Sequence, residues 1–385
     1  MLENWQIGGF GLYVHWPFCA AKCPYCDFNS HVSASINQDD WAAAYLKDLG
    51  RYGAETQGRV LDSIYFGGGT PSLMDPATVG AIIDKAAGLW TFANDIEITL
   101  EANPTSIEAL NFAGYRKAGV NRVSMGFQAL NDADLRRLGR MHSVDEGLRA
   151  LDIARTHFDR VNFDLIYARQ DQSLSDWQAE LDRALSFAPD HLSLYQLTIE
   201  PGTVFGARFE AGKLSGLPED ELAVDMFFHT QYATEAAGLP AYEVSNHARP
   251  GEESRHNLIY WRSGDWIGIG PGAHGRLSFG ENRWGTETPL SPSKWLENAL
   301  GDDDKRERAP LPLSEQVTEY LLMGLRTTEG IDLERLKTQF NAQLDVNKIK
   351  DLIELDLVSV DQKTLRATKN GRPVLNGILR ELLPD

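Results

Sequence analysis

Short apolar segments that alternate with helical patterns are the feature of this sequence that most limits its fold. The segments are rich in Val, Ile, Leu and aromatic residues, as strands of a buried parallel sheet tend to be. They are Leu12–His15, Ser63–Phe66, Ile96–Leu100, Arg122–Gly126, Arg160–Leu165 and His191–Leu197. Strands joined by helical crossovers predict a parallel α/β sheet, either open and doubly wound or curved into a whole or partial barrel. Both arrangements bind ligands at the carboxyl ends of the strands.

The pattern changes after about residue 240. The stretch Ile267–Gly275 is rich in glycine, and the last segment, 312–385, reads as three helices, a hairpin around Asp361–Lys363 and a final helix. That order resembles a winged helix. We therefore expect two domains, 1–240 and 241–385, the second divided into a segment 241–310 and a winged-helix-like module 311–385.

Charge and composition argue against several classes of protein. The 385 residues carry a formal net charge of −18, whereas a nucleic-acid-binding protein needs a basic face, so we expect no nucleic-acid partner. No apolar run is long enough to predict a membrane-spanning helix, and the first ten residues do not resemble a secretory signal. An odd number of cysteines, three, disfavours a disulfide framework, and we expect a reducing, cytoplasmic location.

All three cysteines lie in one short segment with the spacing Cys-x3-Cys-x2-Cys: Cys19, Cys23 and Cys26. Such clustering indicates a metal or redox site. Zinc would need a fourth ligand, which His15 or His31 could supply. An iron–sulfur cluster is the alternative, because soft thiolates favour it, and three thiolates on a four-iron cluster leave one iron open to another ligand.

Glycine and polar residues stand near the ends of the predicted strands. Gly67–Pro71 reads Gly-Gly-Gly-Thr-Pro, and glycines let a backbone approach a ligand closely. Glu101 ends one strand, Gln128 the next, and Asp164 lies within the strand after that. A buried carboxylate needs partners, so these residues are candidates for a binding site. A tight turn and salt bridges at the rim of the sheet remain alternative explanations.

The cysteine motif just after a first strand resembles the radical S-adenosylmethionine (SAM) superfamily, and nearly the whole chain resembles its coproporphyrinogen III oxidase-like branch. The resemblance implies a partial (β/α)6 TIM-like barrel, followed by a smaller α+β C-terminal domain with a winged-helix-like end. It also implies a [4Fe-4S] cluster on Cys19, Cys23 and Cys26, whose open iron binds SAM. The residues that match the SAM contacts of the branch are Tyr13, Tyr25, Gly68, Gly69, Thr70, Glu101, Gln128, Arg140 and Asp164.

Three features favour the haem chaperones of this branch over its oxygen-independent coproporphyrinogen III oxidases. The oxidases carry a further cysteine where this sequence has Phe28, and a longer segment before the cluster. The segment His256–Trp261 reads His-Asn-x-x-Tyr-Trp, a motif of the chaperone type. One departure from the branch is the turn after Asp164, where Arg169–Gln172 replaces a Pro-Gly or Pro-Asp pair.

The resemblance implies a protein that binds haem and delivers it to apo-haemoproteins such as respiratory cytochromes. The alternatives are the oxidase and a radical enzyme that acts on another substrate. His256 is the candidate haem contact, since histidine is the commonest haem ligand; the alternative is a structural histidine in the core. The branch also implies cofactor-dependent homodimers and leaves peripheral contact with a membrane open.

Overall fold

The computed structural model describes residues 2–33, 35–303 and 305–383. In chain order the strands of this part of the protein are β1 (Phe10–Trp16), β2 (Phe18–Cys19), β3 (His31–Val32), β4 (Val60–Gly68), β5 (Thr91–Ala102), β6 (Arg122–Gln128), β7 (Arg160–Tyr167), β8 (His191–Gln196), β9 (Asn246–Ala248), β10 (Asp265–Ile269), β11 (His274–Phe279), β12 (Asn282–Glu287), β13 (Glu307–Pro310), β14 (Ile331–Asp332), β15 (Val358–Asp361) and β16 (Thr364–Ala367).

The α-helices of the same ranges are α1 (Asn4–Gly8), α2 (Gln38–Glu55), α3 (Pro76–Leu89), α4 (Ser106–Ala109), α5 (Phe112–Ala118), α6 (Asp132–Arg137), α7 (Val144–His157), α8 (Leu174–Ser186), α9 (Val204–Glu210), α10 (Asp220–Ala236), α11 (Arg255–Trp261), α12 (Pro292–Leu300), α13 (Leu313–Gly324), α14 (Leu333–Phe340), α15 (Val346–Glu354) and α16 (Leu375–Leu382). Short 3-10 helices add Pro71–Leu73 and Arg372–Val374. Within the described ranges, no helix combines the length and the apolar character needed to cross a membrane.

Eleven strands form one sheet, in the order β13-β12-β11-β10-β1-β4-β5-β6-β7-β8-β9. The six strands predicted from the sequence are its parallel centre, β1-β4-β5-β6-β7-β8. Because β13 and β9 remain at opposite edges, the sheet does not close on itself. The predicted partial α/β barrel is therefore confirmed.

Side chains along the parallel strands alternate between an apolar outer layer and a polar interior of the barrel. In β1, Leu12 and Val14 are fully buried in the main core, together with Trp41 of α2. Tyr13, between them, instead stacks on Tyr65 of β4 at a ring distance of 6.3 Å. Successive side chains of a strand point to opposite faces, so every second residue of the parallel strands faces the interior of the barrel.

The segment after residue 240 adds strands to this same sheet. Strand β10 pairs in parallel with β1, from Phe10 with Asp265 to Val14 with Ile269, and β11 to β13 follow in antiparallel order. The glycine-rich stretch lies along this junction. Gly270 has φ of +99°, and a β-carbon there would collide with the carbonyl oxygen of His15, so no larger residue fits.

The C-terminal module has a core of its own. Helices α13, α14 and α15 precede the hairpin β15–β16, which forms a small sheet with β14, and α16 ends the module. Its buried residues include Leu321, Phe340, Leu365 and Ile378. The predicted winged-helix-like order is confirmed; residues 384 and 385 of the predicted module lie outside the described ranges.

The unusual turn after β7 is fixed by a buried arginine. The Arg169 guanidinium contacts Asp134 Oδ2 at 2.8 Å and Glu180 Oε2 at 2.6 Å. Gln172 donates to the same Glu180 oxygen at 3.2 Å, and the Asp171 amide donates to the Gly216 carbonyl at 2.6 Å. These contacts tie the turn after β7 to α6, α8 and the segment around Gly216.

Candidate functional site

The three cysteines lie on one loop at the carboxyl end of β1. Cys19 ends β2, which pairs with β3 so that Cys19 lies opposite Val32, and Cys23 and Cys26 follow in the intervening turn. All three are half-buried free thiols. Burial raises the pKa of the Cys19 and Cys26 thiols. A positive metal centre would oppose that effect and favour the thiolate form that binds metal.

Neighbouring elements hold this loop in shape. The Phe205 amide donates to the Pro24 carbonyl at 2.8 Å. Gly139 has φ of +70°, and a β-carbon there would lie 2.6 Å from Pro24 Cδ, so only glycine allows the chain to pass this close. Beside it, Arg140 Nη1 approaches Cys23 Sγ at 3.5 Å. These contacts fix the middle of the loop, at Cys23 and Pro24, against neighbouring elements of the fold.

The donor set suits an iron–sulfur cluster better than a single zinc ion. Among the described residues, no three His, Cys, Asp or Glu side chains converge on one metal position. His15, a candidate fourth zinc ligand, is engaged at both ring nitrogens, with Tyr13 Oη at 3.1 Å and the Asn29 carbonyl at 2.9 Å. His31, the other candidate, has only its Nε2 engaged, 3.0 Å from Asn29 Oδ1, but it is not part of a converging group. A four-iron cluster spreads its thiolates over separate irons and does not need such convergence.

The glycine-rich loop after β4 lies against the cysteine loop. The Gly69 amide donates to the Trp16 carbonyl at 2.7 Å and the Thr70 amide to the Phe18 carbonyl at 2.8 Å. A β-carbon at Gly69 would lie 2.7 Å from that Phe18 oxygen, and Gly68 has φ of +109°. Glycine is therefore required at these two positions because the loop packs directly against the His15 ring and the backbone of Trp16 and Phe18, next to Cys19.

Arg140 joins three parts of the site. Its Nη2 donates to Asn103 Oδ1 at 2.5 Å and to the Gly126 carbonyl at 2.8 Å. Its Nε is buried and has no partner among the described residues. Burial raises the pKa of nearby Tyr25, although Arg140 opposes that effect. This nitrogen is therefore a donor beside the cysteine loop that a bound group would satisfy.

Gln128 reaches the site through an unusual backbone conformation. Its φ is +71°, and the pairing of β6 with β7 is irregular between Met125 and Gln128. A β-carbon at Gly126 would lie 2.9 Å from Gln128 Nε2, so the side chain folds back over the strand. A positive φ is uncommon in residues other than glycine, and strained backbone of this kind is found at active sites as well as in turns.

Two half-buried carboxyl groups lie near the same end of the barrel. Burial raises the pKa of Glu101 to about 7, and the neighbouring charge of Asp164 adds to that effect. The Tyr65 hydroxyl donates to Glu101 Oε1 at 2.8 Å. Burial likewise raises the pKa of Asp164 to about 6. Both groups would gain from a cationic ligand that replaced the water they have lost.

His256 lies deeper, toward the amino ends of the strands, together with Tyr13. Its ring is 1% exposed and stacks on Tyr65 at 5.0 Å and on Tyr13 at 6.2 Å. Its Nδ1 is 2.7 Å from Ser63 Oγ, and its Nε2 is 2.6 Å from Tyr260 Oη. A haem contact at His256 stays a prediction, and it requires the iron to displace one of these partners.

The structure thus brings the cysteines, the glycine loop, Glu101, Gln128, Arg140 and Asp164 to one end of the barrel. It also adds a residue that the sequence analysis missed. Asn103 accepts from Arg140 and donates to Thr70 Oγ1 at 3.2 Å. A polar side chain directly after β5, two residues beyond Glu101, is the pattern that could have identified it.

Known proteins resemble this chain over both of its parts. Residues 13–184 match the family model of the radical SAM superfamily, and residues 311–374 match that of the HemN C-terminal domain. The heme chaperone HemW of Haemophilus influenzae is 35% identical over 99% of both chains. HemW of Escherichia coli is 44% identical over 72% of this chain and 73% of its own length.

Two further similarities extend the comparison. The mitochondrial radical S-adenosyl methionine domain-containing protein 1 of Mus musculus is 38% identical over 97% of this chain and 87% of its own. The solved structure of coproporphyrinogen III oxidase (HemN) from Escherichia coli aligns with a TM-score of 0.79 over 97% of this chain and 89% of that one. At 23% identity, that alignment establishes a shared fold.

Proposed function

Because the chain belongs to the radical SAM superfamily and, within it, to the group of the heme chaperone HemW, we propose that it binds haem and delivers it to apo-haemoproteins. The observation that carries the proposal is the similarity to HemW of Haemophilus influenzae over 99% of both chains. Phe28 also stands where the oxidases of the branch carry a further cysteine.

We propose that the chain also holds a [4Fe-4S] cluster on Cys19, Cys23 and Cys26, with SAM beside it. When bound, these two groups supply one-electron chemistry that can cleave SAM. In this proposal the protein contributes the cysteine loop, the glycine loop with Gly68, Gly69 and Thr70, and the carboxyl groups of Glu101 and Asp164. The other proposed SAM-binding residues are Tyr13, Tyr25, Gln128 and Arg140.

The affinity for SAM should rise with pH through about 7. Glu101 has a pKa of about 7, so it is largely neutral below that pH, and SAM carries positive charge. Binding favours the ionised carboxylate and therefore releases a proton, and affinity should fall by up to about tenfold per pH unit below 7. Calorimetry of the cluster-loaded protein at several pH values would measure this. Glu101→Gln should flatten the profile near pH 7 and leave the contribution of Asp164, whose pKa is about 6; an unchanged profile near pH 7 in that variant would assign the proton elsewhere.

Haem should bind saturably, at about one per chain. We would titrate haem into anaerobically reconstituted protein and follow the Soret band, then offer the loaded protein to a haem-depleted cytochrome. Absence of saturable binding would remove the chaperone proposal. Turnover of coproporphyrinogen III with SAM and a reductant would instead favour the oxidase, and SAM cleavage without either ligand would favour another radical enzyme.

The proposal includes partners and a location. The recipients would be apo-haemoproteins such as respiratory cytochromes, reached from the cytoplasm. The free thiols of the three cysteines agree with a reducing compartment. A cofactor-dependent homodimer is part of the same proposal, and sedimentation of the protein with and without its cluster would test it.

A further inference from the structure

A haem iron can reach few of the histidines of this protein. Of nine histidines, five are buried and two are half-buried. Only His31 and His274 are exposed, and all nine lie in the described ranges. The proposed haem cargo needs an accessible ligand, and imidazole is the one that proteins use most often. These two positions are therefore the accessible imidazoles to consider.

Both exposed histidines lie at the outer side of the cysteine loop, where large apolar side chains are also exposed. The exposed fractions are 57% for Phe28, 61% for Val32 and 66% for Leu290. Asn29 joins the two segments, since its Nδ2 donates to the carbonyls of Pro271 and Leu290, each at 2.9 Å. We call Phe28, His31, Val32, His274 and Leu290 the loop-side patch.

His31 is the better placed of the two for an iron ligand. It lies opposite Phe18 in the β2–β3 pair, and its neighbour Val32 lies opposite Cys19. Its Nε2 contacts Asn29 Oδ1 at 3.0 Å, an interaction that orients the ring and leaves Nδ1 for a ligand. His274 instead has its Nδ1 3.6 Å from Glu287 Oε1.

The patch also offers a cation to an anionic ligand. The Lys22 ammonium group donates to the Ser30 carbonyl at 3.4 Å, which places it next to His31 in a chain whose net charge is −18. Haem is a flat apolar ring with an iron at its centre and two carboxylates at one edge. Imidazole, exposed apolar side chains and an ammonium group are the chemistry that such a molecule needs.

We propose that haem binds at the loop-side patch, with His31 as its iron ligand and its ring against Phe28, Val32 and Leu290. The inference rests on the proposed chaperone function and assigns it a site. The cargo then lies on the surface, beside the cluster loop, where a recipient protein can reach it. His256, enclosed by Ser63 and Tyr260, would not take part in ligation.

The test compares histidine variants in anaerobically reconstituted, full-length protein. His31→Ala should weaken haem binding by about tenfold or more and shift the Soret band, while iron and sulfide contents stay at wild-type values. His31→Met should bind haem with a different Soret position. His274→Ala, from the same patch, is the matched control and should change the affinity much less.

Three outcomes would contradict the assignment. Wild-type affinity and an unshifted Soret band in His31→Ala would overturn it while leaving the chaperone function intact. A larger loss in His256→Ala than in His31→Ala, with both variants folded and cluster-loaded, would move the site to the barrel interior. If wild-type protein binds no haem, the proposed function itself fails, and the two failures are thereby distinguished.

Discussion

Cys23→Ala should abolish the iron–sulfur absorbance of the reconstituted protein. The chain has three cysteines, all in the loop, so the variant keeps two thiols and cannot recruit another from elsewhere in the sequence. Arg140 Nη1 lies 3.5 Å from Cys23 Sγ, and it would face a position that no longer carries a sulfur atom. The measurement is the visible absorbance together with iron and sulfide content per chain after anaerobic reconstitution.

Asp27→Asn provides the control for this prediction, because it changes an exposed residue of the same loop without removing a sulfur ligand. It should reconstitute as the wild type does. Circular dichroism of the two variants should coincide, since the strands on either side of the loop are paired independently of it. A full iron and sulfide complement in Cys23→Ala would refute the assignment of the ligands.

Glu97→Gln should lower the free energy of unfolding by about 3–5 kcal/mol, the usual cost of removing one partner from a buried ion pair. Glu97 is fully buried and contacts Arg122 Nη1 at 3.4 Å and Arg160 Nη1 at 2.8 Å. It also accepts from the His256 amide at 3.4 Å. The substitution takes from the buried Arg122 guanidinium the carboxylate it pairs with, at the point where β5, β6, β7 and α11 meet, and it leaves Arg160 paired with Glu252 Oε2 at 2.7 Å.

Urea unfolding of the protein at neutral pH would measure this change. Asp95→Asn is the matched control: it makes the same chemical change two residues away on β5, where the side chain is 68% exposed, and its effect should be much smaller. Burial alone would raise the pKa of Glu97, but Arg122 and Arg160 outweigh it and lower the pKa. The contribution of ionised Glu97 to the free energy of unfolding should therefore be complete above the ordinary glutamate pKa and decline as the pH falls through the lowered pKa. Equal stability of the two variants would contradict the prediction.

The central strands were predictable because each is encoded by a short apolar segment of the sequence. Each of the six apolar segments overlaps one strand of the parallel sheet, with β1 extending from Phe10 to Trp16 around the predicted Leu12–His15. Strand β10 was not predicted, because nothing in Asp265–Ile269 identifies a partner at the opposite end of the chain. The need for glycine at Gly270 is visible only in the structure, where the His15 carbonyl lies against it.

The site was predictable to the extent that its residues form motifs. The cysteine spacing and the glycine loop follow from short stretches of sequence, and the structure brings them together. The reversed backbone of Gln128 and the role of Asn103 depend on tertiary contacts that no local pattern encodes. For His256 the motif identified the residue but not its surroundings, since burial between Ser63 and Tyr260 is a property of the whole barrel.

The parallel pairing of β1 with β10 has a consequence for synthesis of the protein on the ribosome. One side of the strand that precedes the cysteine loop has no partner until residues Asp265–Ile269 have emerged. Until then the nascent chain carries an open strand edge, which is a template for association with other chains. Native contacts of such long sequence separation also form slowly. A chain arrested before residue 265 should therefore engage chaperones, and its cysteine loop should become resistant to protease only after release of the longer product.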